Sequence, residues 1–173
     1  MLIRRTAIVF VLLLAGCVKQ STELDTIHRR NGMLELRITA FAENRTFAGS
    51  LAGTEYVFEA RTDDDNWRRV MVFTHDDYVP IENRQIHFVN DQVAYMYMGW
   101  MYAVTIDSGL SWHIWDGNRV ELFSKDRIGY SGIQTIIIDH NGQGKMLLQL
   151  IGFSNPVELQ TDDFGVSWHV QKS

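Results

Sequence analysis

One eight-residue pattern occurs twice in this chain, and it limits the possible folds more than any other feature. Each copy reads hydroxyl residue, any residue, Asp, any residue, Gly, any residue, Ser, Trp. Hydroxyl and carboxylate groups can bond turn amides that a strand ladder leaves unpaired, Gly can adopt the left-handed conformation, and Trp can pack beneath the turn. The pattern therefore predicts two equivalent structural turns. Its residues are Thr105, Asp107, Ser108, Gly109, Ser111 and Trp112 in the first copy, and Thr161, Asp163, Gly165, Ser167 and Trp168 in the second.

Each turn lies within a series of short β-rich runs separated by Gly, Asn and Asp residues. Four short strands in sequence form an antiparallel meander, so each series predicts one such unit. From residue 33 onward, no apolar period of 3.6 residues persists for three helical turns. The strand candidates are 85–89, 93–98, 101–105 and 112–115 in one unit, and 133–138, 146–151, 157–160 and 168–170 in the next.

A fainter unit precedes these two. Its strand candidates are 33–38 and 56–60, and its turn, Thr62–Trp67, lacks the Gly of the pattern. The Trp residues at 67, 112 and 168 are separated by 45 and 56 residues, and a period of about 40 to 50 residues is typical of propeller-like units. A closed propeller needs at least about four blades. We therefore predict an all-β fold of about three four-stranded antiparallel meanders, arranged as an incomplete propeller-like stack or as a sandwich.

The N-terminus has the pattern of a secretory signal. Arg4 and Arg5 precede an apolar run over 7–15, which ends in Leu14-Ala15-Gly16-Cys17. The run is too short for a lasting transmembrane helix. We assign residues 1–16 to a signal peptide, 17–31 to a processed Cys with a polar tether, and 32–173 to a single all-β domain. Cys17 is the only cysteine, which excludes a disulfide, a thiolate metal site and a cysteine nucleophile.

The tetrapeptide ending at Cys17 resembles the lipobox of bacterial lipoproteins. This resemblance implies cleavage before Cys17, attachment of several acyl chains to it, and membrane association through that lipid anchor. In enteric lipoproteins an Asp after the Cys resembles an inner-membrane retention signal, whereas Val18 follows here. The resemblance therefore implies an outer-membrane lipoprotein that faces the periplasm.

The charge of the chain favours some partners over others. Residues 1–16 contain two arginines and no acid, so the formal charge falls by two on their removal, from −5 to −7. An acidic domain is unsuited to nucleic acid and suited to a basic protein partner. We expect the run Asp63, Asp64 and Asp65, together with Asp76 and Asp77, to steer such a partner.

The densest aromatic stretch supports two interpretations. Tyr95, Tyr97, Trp100 and Tyr102 lie within one predicted hairpin together with several Met residues. They can form the core of the hairpin. Alternatively, they can form a protein-binding patch, because Tyr, Trp and Met are enriched at interfaces.

No pattern in the chain predicts an enzyme, a cofactor or a metal centre. A nucleophile elbow, a phosphate loop and a dinucleotide fingerprint are all missing from the sequence. The Asp-rich segments 63–66 and 139–144 lack the loop length and the terminal Glu of an EF-hand, so we interpret them as hairpin turns.

The two full motifs resemble the Asp-box of sialidases and related neuraminidase repeats. In those families the box is a turn staple far from the sugar site, which implies a structural role here. The whole layout is similar to lipoproteins that act as immunity proteins against lipase effectors of type VI secretion. The shared features are the lipobox, the run Phe88 to Tyr95 and the end Phe164 to Trp168. This resemblance implies a periplasmic protein that binds and inhibits a phospholipase effector. The alternatives are an envelope assembly or scaffold lipoprotein and, third, a glycan-binding or sialidase-like protein.

Overall fold

The computed structural model describes residues 21–42, 53–63, 66–117, 130–150 and 154–170. The predicted signal peptide, Cys17, Asp64 and Asp65 lie outside these residues. The described part is all-β, with one short 3-10 helix at Asn83–Gln85. Its strands are β1 (Thr22–Asn31), β2 (Leu34–Ala42), β3 (Thr54–Thr62), β4 (Arg68–His75), β5 (Ile86–Phe88), β6 (Ala94–Met98), β7 (Met101–Thr105), β8 (His113–Asp116), β9 (Tyr130–Ile138), β10 (Gly144–Leu150), β11 (Val157–Thr161) and β12 (His169–Val170).

The predicted all-β fold of three four-stranded meanders is confirmed. The strands form three antiparallel sheets in the orders β1-β2-β3-β4, β5-β6-β7-β8 and β9-β10-β11-β12, and none of them closes into a barrel. Each motif turn joins the third strand of its sheet to the fourth. The last Thr of each third strand also pairs with the first residue of the second strand. The pairs are Thr62 with Leu34, Thr105 with Ala94, and Thr161 with Gly144.

The tether predicted for 17–31 is wrong over Thr22–Asn31, because these residues form β1 at the edge of the first sheet. Only Ile27 of this strand packs against the hydrophobic core. An edge strand that exposes most of its side chains needs no regular apolar alternation, so its sequence has the polar composition of a linker. The domain therefore includes residues assigned to the tether.

The second sheet lies between the other two, and its strands alternate their side chains between two cores. Ala94, Met96 and Met98 of β6 pack in a cluster with the first sheet. Tyr95 and Tyr97, the intervening residues, pack in a second cluster with the third sheet. All five residues of β6 are buried as a result. The molecule is thus a face-to-face stack in which the middle sheet has no exposed face along this strand.

The outer faces of the stack are polar. On the first sheet, the outward residues include Arg37 and Glu59, whereas the third sheet carries an ion pair between Lys145 and Glu158. Polar outer faces end a stack of repeated sheets, because a further unit would have to bury those charges. Within the described ranges, no helix has the length and apolar character needed to cross a membrane.

Candidate functional site

The first motif turn is held by a closed set of hydrogen bonds. The Thr105 hydroxyl donates to Asp107 Oδ1 over 2.8 Å and accepts the Gly109 amide over 2.8 Å. The Asp107 carboxylate then accepts the Ser111 amide over 2.9 Å and the Ser111 hydroxyl over 2.6 Å. Ser108 and Gly109 both have positive φ. The side chains of Thr105, Asp107 and Ser111 are therefore used inside the turn, whereas the Ser108 hydroxyl donates to the Asp91 carbonyl over 3.1 Å.

The second copy repeats this set bond for bond. Thr161 bonds Asp163 and the Gly165 amide over 2.7 and 2.9 Å. Asp163 accepts the amide and the hydroxyl of Ser167 over 2.9 and 2.6 Å. Phe164, which replaces Ser108 of the first copy, packs against Gly142. A Cβ on that glycine would lie only 2.9 Å from the ring. An aromatic ring is accommodated at this position because a glycine lies beneath it.

The hydrogen bonds also set the ionisation of the two carboxyls. Burial raises the pKa of Asp107, but the bonds from Ser111, Thr105 and a turn amide outweigh burial, so the pKa lies below its ordinary value. The pKa of Asp163 is lowered in the same way, against burial, by Ser167, Thr161 and a turn amide. Carboxylates that stay ionised and fully bonded are suited to holding a turn and not to acid catalysis.

Both turns also contact the neighbouring sheet. A Cβ on Gly109 would lie 2.7 Å from Leu34 Cδ1 in the first sheet, and a Cβ on Gly165 would overlap the hydroxyl of Tyr102 in the second. Trp112 packs partly buried against the first cluster and Trp168 against the second. The motif residues are thus structural in their geometry, and they fasten one sheet to the next as well as one strand to the next.

The shorter turn of the first sheet uses Asp63 differently from the aligned Asp residues. Asp63 has positive φ, as do Ser108 and Phe164, and these are the only non-glycine residues of the described part with this conformation. In each sheet this residue's amide donates to a carbonyl of the loop after the first strand, with acceptors Met33, Gln92 and Gly142. Asp63 therefore occupies the position of Ser108 and not that of Asp107.

The interpretation of the aromatic hairpin as a partner-binding patch is wrong for its three tyrosines. Tyr95, Tyr97 and Tyr102 are buried between the second and third sheets. Trp100 is half-buried, with its ring 5.2 Å from that of Phe73. The alternative interpretation, that these residues form the core of the hairpin, is correct for the tyrosines, because a strand in the middle of a stack must be apolar on both faces.

The outer face of the first sheet carries an organised polar network that the sequence analysis missed. Trp67 lies in contact with two guanidinium groups, Arg37 at 4.2 Å and Arg61 at 4.7 Å from the ring centroid. The edge of His28 meets the same ring at 5.6 Å. Both arginines are held by acids: Arg37 bonds Glu59 through Nε over 2.9 Å and Arg61 bonds Glu35 through Nη2 over 2.8 Å.

Glu35 anchors this network from a nearly buried position, with 3% of its surface exposed. It also forms an ion pair with Arg30 over 3.3 Å and a hydrogen bond with His28 Nε2 over 2.8 Å. The hydrogen bond from Arg61 lowers the pKa of this carboxyl more than burial raises it, so Glu35 stays ionised. The fixed carboxylate orients Arg61, which in turn orients Trp67.

The network borders a shallow recess of about 550 Å³ on the outer face of the sheet. Thr39 and Val57 line it as buried residues. Arg69, also in the lining, is exposed and makes no ion pair with any residue of the described ranges. One sequence signal could have revealed this network. Acidic and basic residues alternate along both strands, and Glu35 and Arg37 on β2 pair with Arg61 and Glu59 on β3.

Comparisons with protein-family models, curated proteins and solved structures found no match to this chain. Across the part that the structure describes, no three His, Cys, Asp or Glu residues are grouped to hold a metal ion. The arrangement with the most interaction chemistry is the recess beside Trp67, which combines a rigid aromatic ring, oriented guanidiniums and one unpaired arginine.

Proposed function

We propose that this chain is an outer-membrane lipoprotein that works as a protein-binding module, with the Trp67 recess as its partner-binding surface. The observation that carries the proposal is the contact of Trp67 with Arg37 and Arg61, both fixed by buried or half-buried acids. Trp and Arg dominate the energetics of protein interfaces, and a network already ordered before binding loses little entropy on association.

The specific role that we propose is immunity against a phospholipase effector of type VI secretion. The formal charge of −5 supports a partner that is basic overall, whereas the exposed Arg69 in the recess suits an acidic group on that partner. The lipobox resemblance supports anchoring at Cys17. A binder held at the outer membrane meets an incoming lipase before the lipase reaches its substrate. Envelope scaffolding remains the second proposal, because the same surface would serve an endogenous complex.

A challenge experiment tests the immunity role. Cells that lack the gene are exposed to lipase-secreting kin and complemented with wild type, Trp67→Ala, Arg69→Glu or Lys145→Ala. We expect loss of protection with the first two variants and full protection with Lys145→Ala, which alters the opposite outer face. Arg69→Glu reverses an exposed charge and leaves the core intact, so its effect is separable from misfolding. Deletion cells that resist the lipase fully would refute the immunity role.

The anchor is tested separately. Wild type should partition with outer-membrane fractions and carry the mass of the added acyl chains, and Cys17→Ser should release the domain. A wild-type chain without the added mass would refute the anchor without bearing on the Trp67 recess.

A further inference from the structure

The three sheets present their loops at two ends of the stack. Because consecutive strands are antiparallel, the loops after the first and third strands of each sheet share one end, which we call the turn end. Asn31 Nδ2 bonds the Asn90 carbonyl over 3.5 Å and thus joins the turn ends of the first two sheets. β1 begins at Thr22, at the opposite end. Thr22, the strand residue nearest to Cys17 in the sequence, therefore lies at the end opposite the turn end.

Three large apolar residues lie exposed on adjoining loops of the turn end. Leu110 is 73% exposed, Met33 62% and Ile106 41%. Leu34, which follows Met33, lies against Gly109, which precedes Leu110, so the two loops touch. Five hydrogen bonds fix the loop that carries Ile106 and Leu110. We call Met33, Ile106 and Leu110 the turn-end patch.

The second motif copy shows that the fold does not require this patch. The two turns have the same hydrogen bonds, yet Asp162 stands at the position of Ile106. Val166 stands at the position of Leu110 and packs against the second core cluster. The same turn forms with Asp162 and a packed Val166 at these two positions, so the turn itself does not require the exposed apolar side chains of Ile106 and Leu110. Rigid exposed apolar side chains are suited to anchoring a partner.

Two acids and one arginine beside the patch form no ion pair within the described ranges. Asp63 is exposed next to Met33, and its carboxylate has no ion-pair partner among the described residues. Asp91 is exposed, and within the described ranges its carboxylate accepts a single bond, from Asn31 over 3.3 Å. The guanidinium of Arg68 donates to the Gly109 carbonyl over 3.2 Å and keeps its positive charge, so the two carboxylates leave the border of the patch with a net negative charge. A partner whose apolar groups are bordered by basic side chains would match this pattern.

Two other occupants fit less well. Three side chains cannot bury the roughly 800 Å² per partner that a stable dimer needs, which disfavours a second copy. A bilayer is disfavoured because Thr22, the strand residue nearest to Cys17 in the sequence, lies at the opposite end; this step rests on the proposed lipid anchor. We propose that the turn-end patch docks a protein segment with apolar side chains flanked by Lys or Arg, at a surface distinct from the Trp67 recess.

The test uses the full chain in lipid nanodiscs and a fluorescent amphipathic peptide made of Leu and Lys. A peptide of Leu and Glu with the same length is the charge control. We expect the Leu and Lys peptide to bind, and Leu110→Asp and Ile106→Asp each to weaken its affinity about 10-fold or more. Ile106→Asp places in the first turn the residue that the second turn already has, so it should fold. Ile137→Asp, at an exposed Ile of another face, should leave the affinity unchanged.

Four results would overturn the docking of a basic segment at the turn-end patch. The first is equal binding of the two peptides, and the second is unchanged peptide affinity in both turn-end variants. The third is a dimer in sedimentation that Leu110→Asp dissociates. The fourth is binding of the Cys17→Ser chain to lipid vesicles, abolished by Leu110→Asp. The last two would identify a second copy or lipid as the occupant. Loss of binding in Trp67→Ala would also contradict the separate surface, whereas the immunity challenge can fail without affecting any of these results.

Discussion

At the scale of single residues, two buried tyrosine hydroxyls differ in one respect. Tyr95 donates to the Ile136 carbonyl over 2.9 Å, whereas the buried Tyr102 hydroxyl has no hydrogen-bond partner among the residues that the structure describes. An unpaired buried hydroxyl loses its bonds to water without replacement, at a cost of about 1 to 3 kcal/mol. We therefore expect Tyr102→Phe to raise the free energy of unfolding by up to about 1 kcal/mol. Tyr95→Phe should lower it by about 0.5 to 1.5 kcal/mol.

Urea unfolding of the two variants measures both changes with the same chemical substitution. Opposite signs would support the assigned hydrogen bonds, and a loss of stability in Tyr102→Phe would mean that its hydroxyl has a partner. The comparison is clean because both rings lie in one cluster and each variant removes a single oxygen.

The motif carboxyls predict a pH dependence of stability. The folded pKa of Asp107 and of Asp163 lies below the ordinary value, so their stabilisation is complete above the unfolded pKa and is lost as the pH falls through the folded one. We expect the free energy of unfolding to fall below about pH 4. Asp107→Asn should lower stability by about 1 to 3 kcal/mol at pH 7 and flatten the acid limb. Urea titrations from pH 7 to pH 2.5 would contradict this if both proteins lost stability in parallel.

Residue roles were predictable where the chemistry is local and not where it depends on neighbours in space. The bonds of Thr105 and Asp107 follow from their spacing, because both partners lie within one turn. The burial of Tyr95 depends on the third sheet, far along the sequence, and a strand covered on both faces has no alternation to show it. The contact of Trp67 with Arg37 and Arg61 was missed because these arginines come from β2 and β3, away from Trp67 in the sequence.

At the scale of elements, the motif glycines limit how closely neighbouring sheets approach. Gly165 has positive φ and its missing Cβ would overlap Tyr102, whereas Gly32 has positive φ with nothing within 4 Å. Gly32→Ala should thus cost only the backbone strain, about 1 kcal/mol. Gly165→Ala should cost about 1 to 3 kcal/mol more, because the turn must move away from the second sheet.

Tyr102→Phe supplies the control for this prediction. Removing the hydroxyl takes away the closest overlap but leaves Ile138 Cδ1 at 2.9 Å, so the double variant Gly165→Ala with Tyr102→Phe should recover part of the loss. Thermal unfolding of the four proteins gives the coupling. If Gly32→Ala and Gly165→Ala lowered the stability equally, the contact of Gly165 with the second sheet would not be the reason for glycine at this turn.

Strand prediction succeeded for the second and third sheets, whereas in the first sheet it found β2 and β3 and gave no candidate for β1 or β4. β6 and β10 bury many apolar residues, and this composition predicts strands. β1 pairs along its length with β2, yet it gains most of its stability from main-chain bonds and from polar contacts such as the Arg29 guanidinium on the Ile86 carbonyl. Main-chain pairing depends little on side-chain type and therefore leaves no pattern in the sequence.

At the scale of the whole molecule, the three sheets share one middle layer, and this arrangement predicts a single unfolding transition. β6 and β7 alternate residues between the two core clusters, so loosening either face of the middle sheet disturbs the packing of the other. Phe58→Ala in the first cluster should cost about 3 to 5 kcal/mol, and Leu148→Ala in the second about 2 to 5 kcal/mol.

Both variants should shift one common transition, detected together by tryptophan fluorescence and far-ultraviolet circular dichroism. Ile137→Ala, at a side chain that is 68% exposed, should change stability by less than about 0.5 kcal/mol and serves as the surface control. Two separate transitions, with Leu148→Ala lowering only one of them, would mean that the first two sheets fold without the third. A single transition would instead mean that the Trp67 recess on the first sheet is stabilised by packing on the far side of the stack, because all three sheets then gain or lose order together.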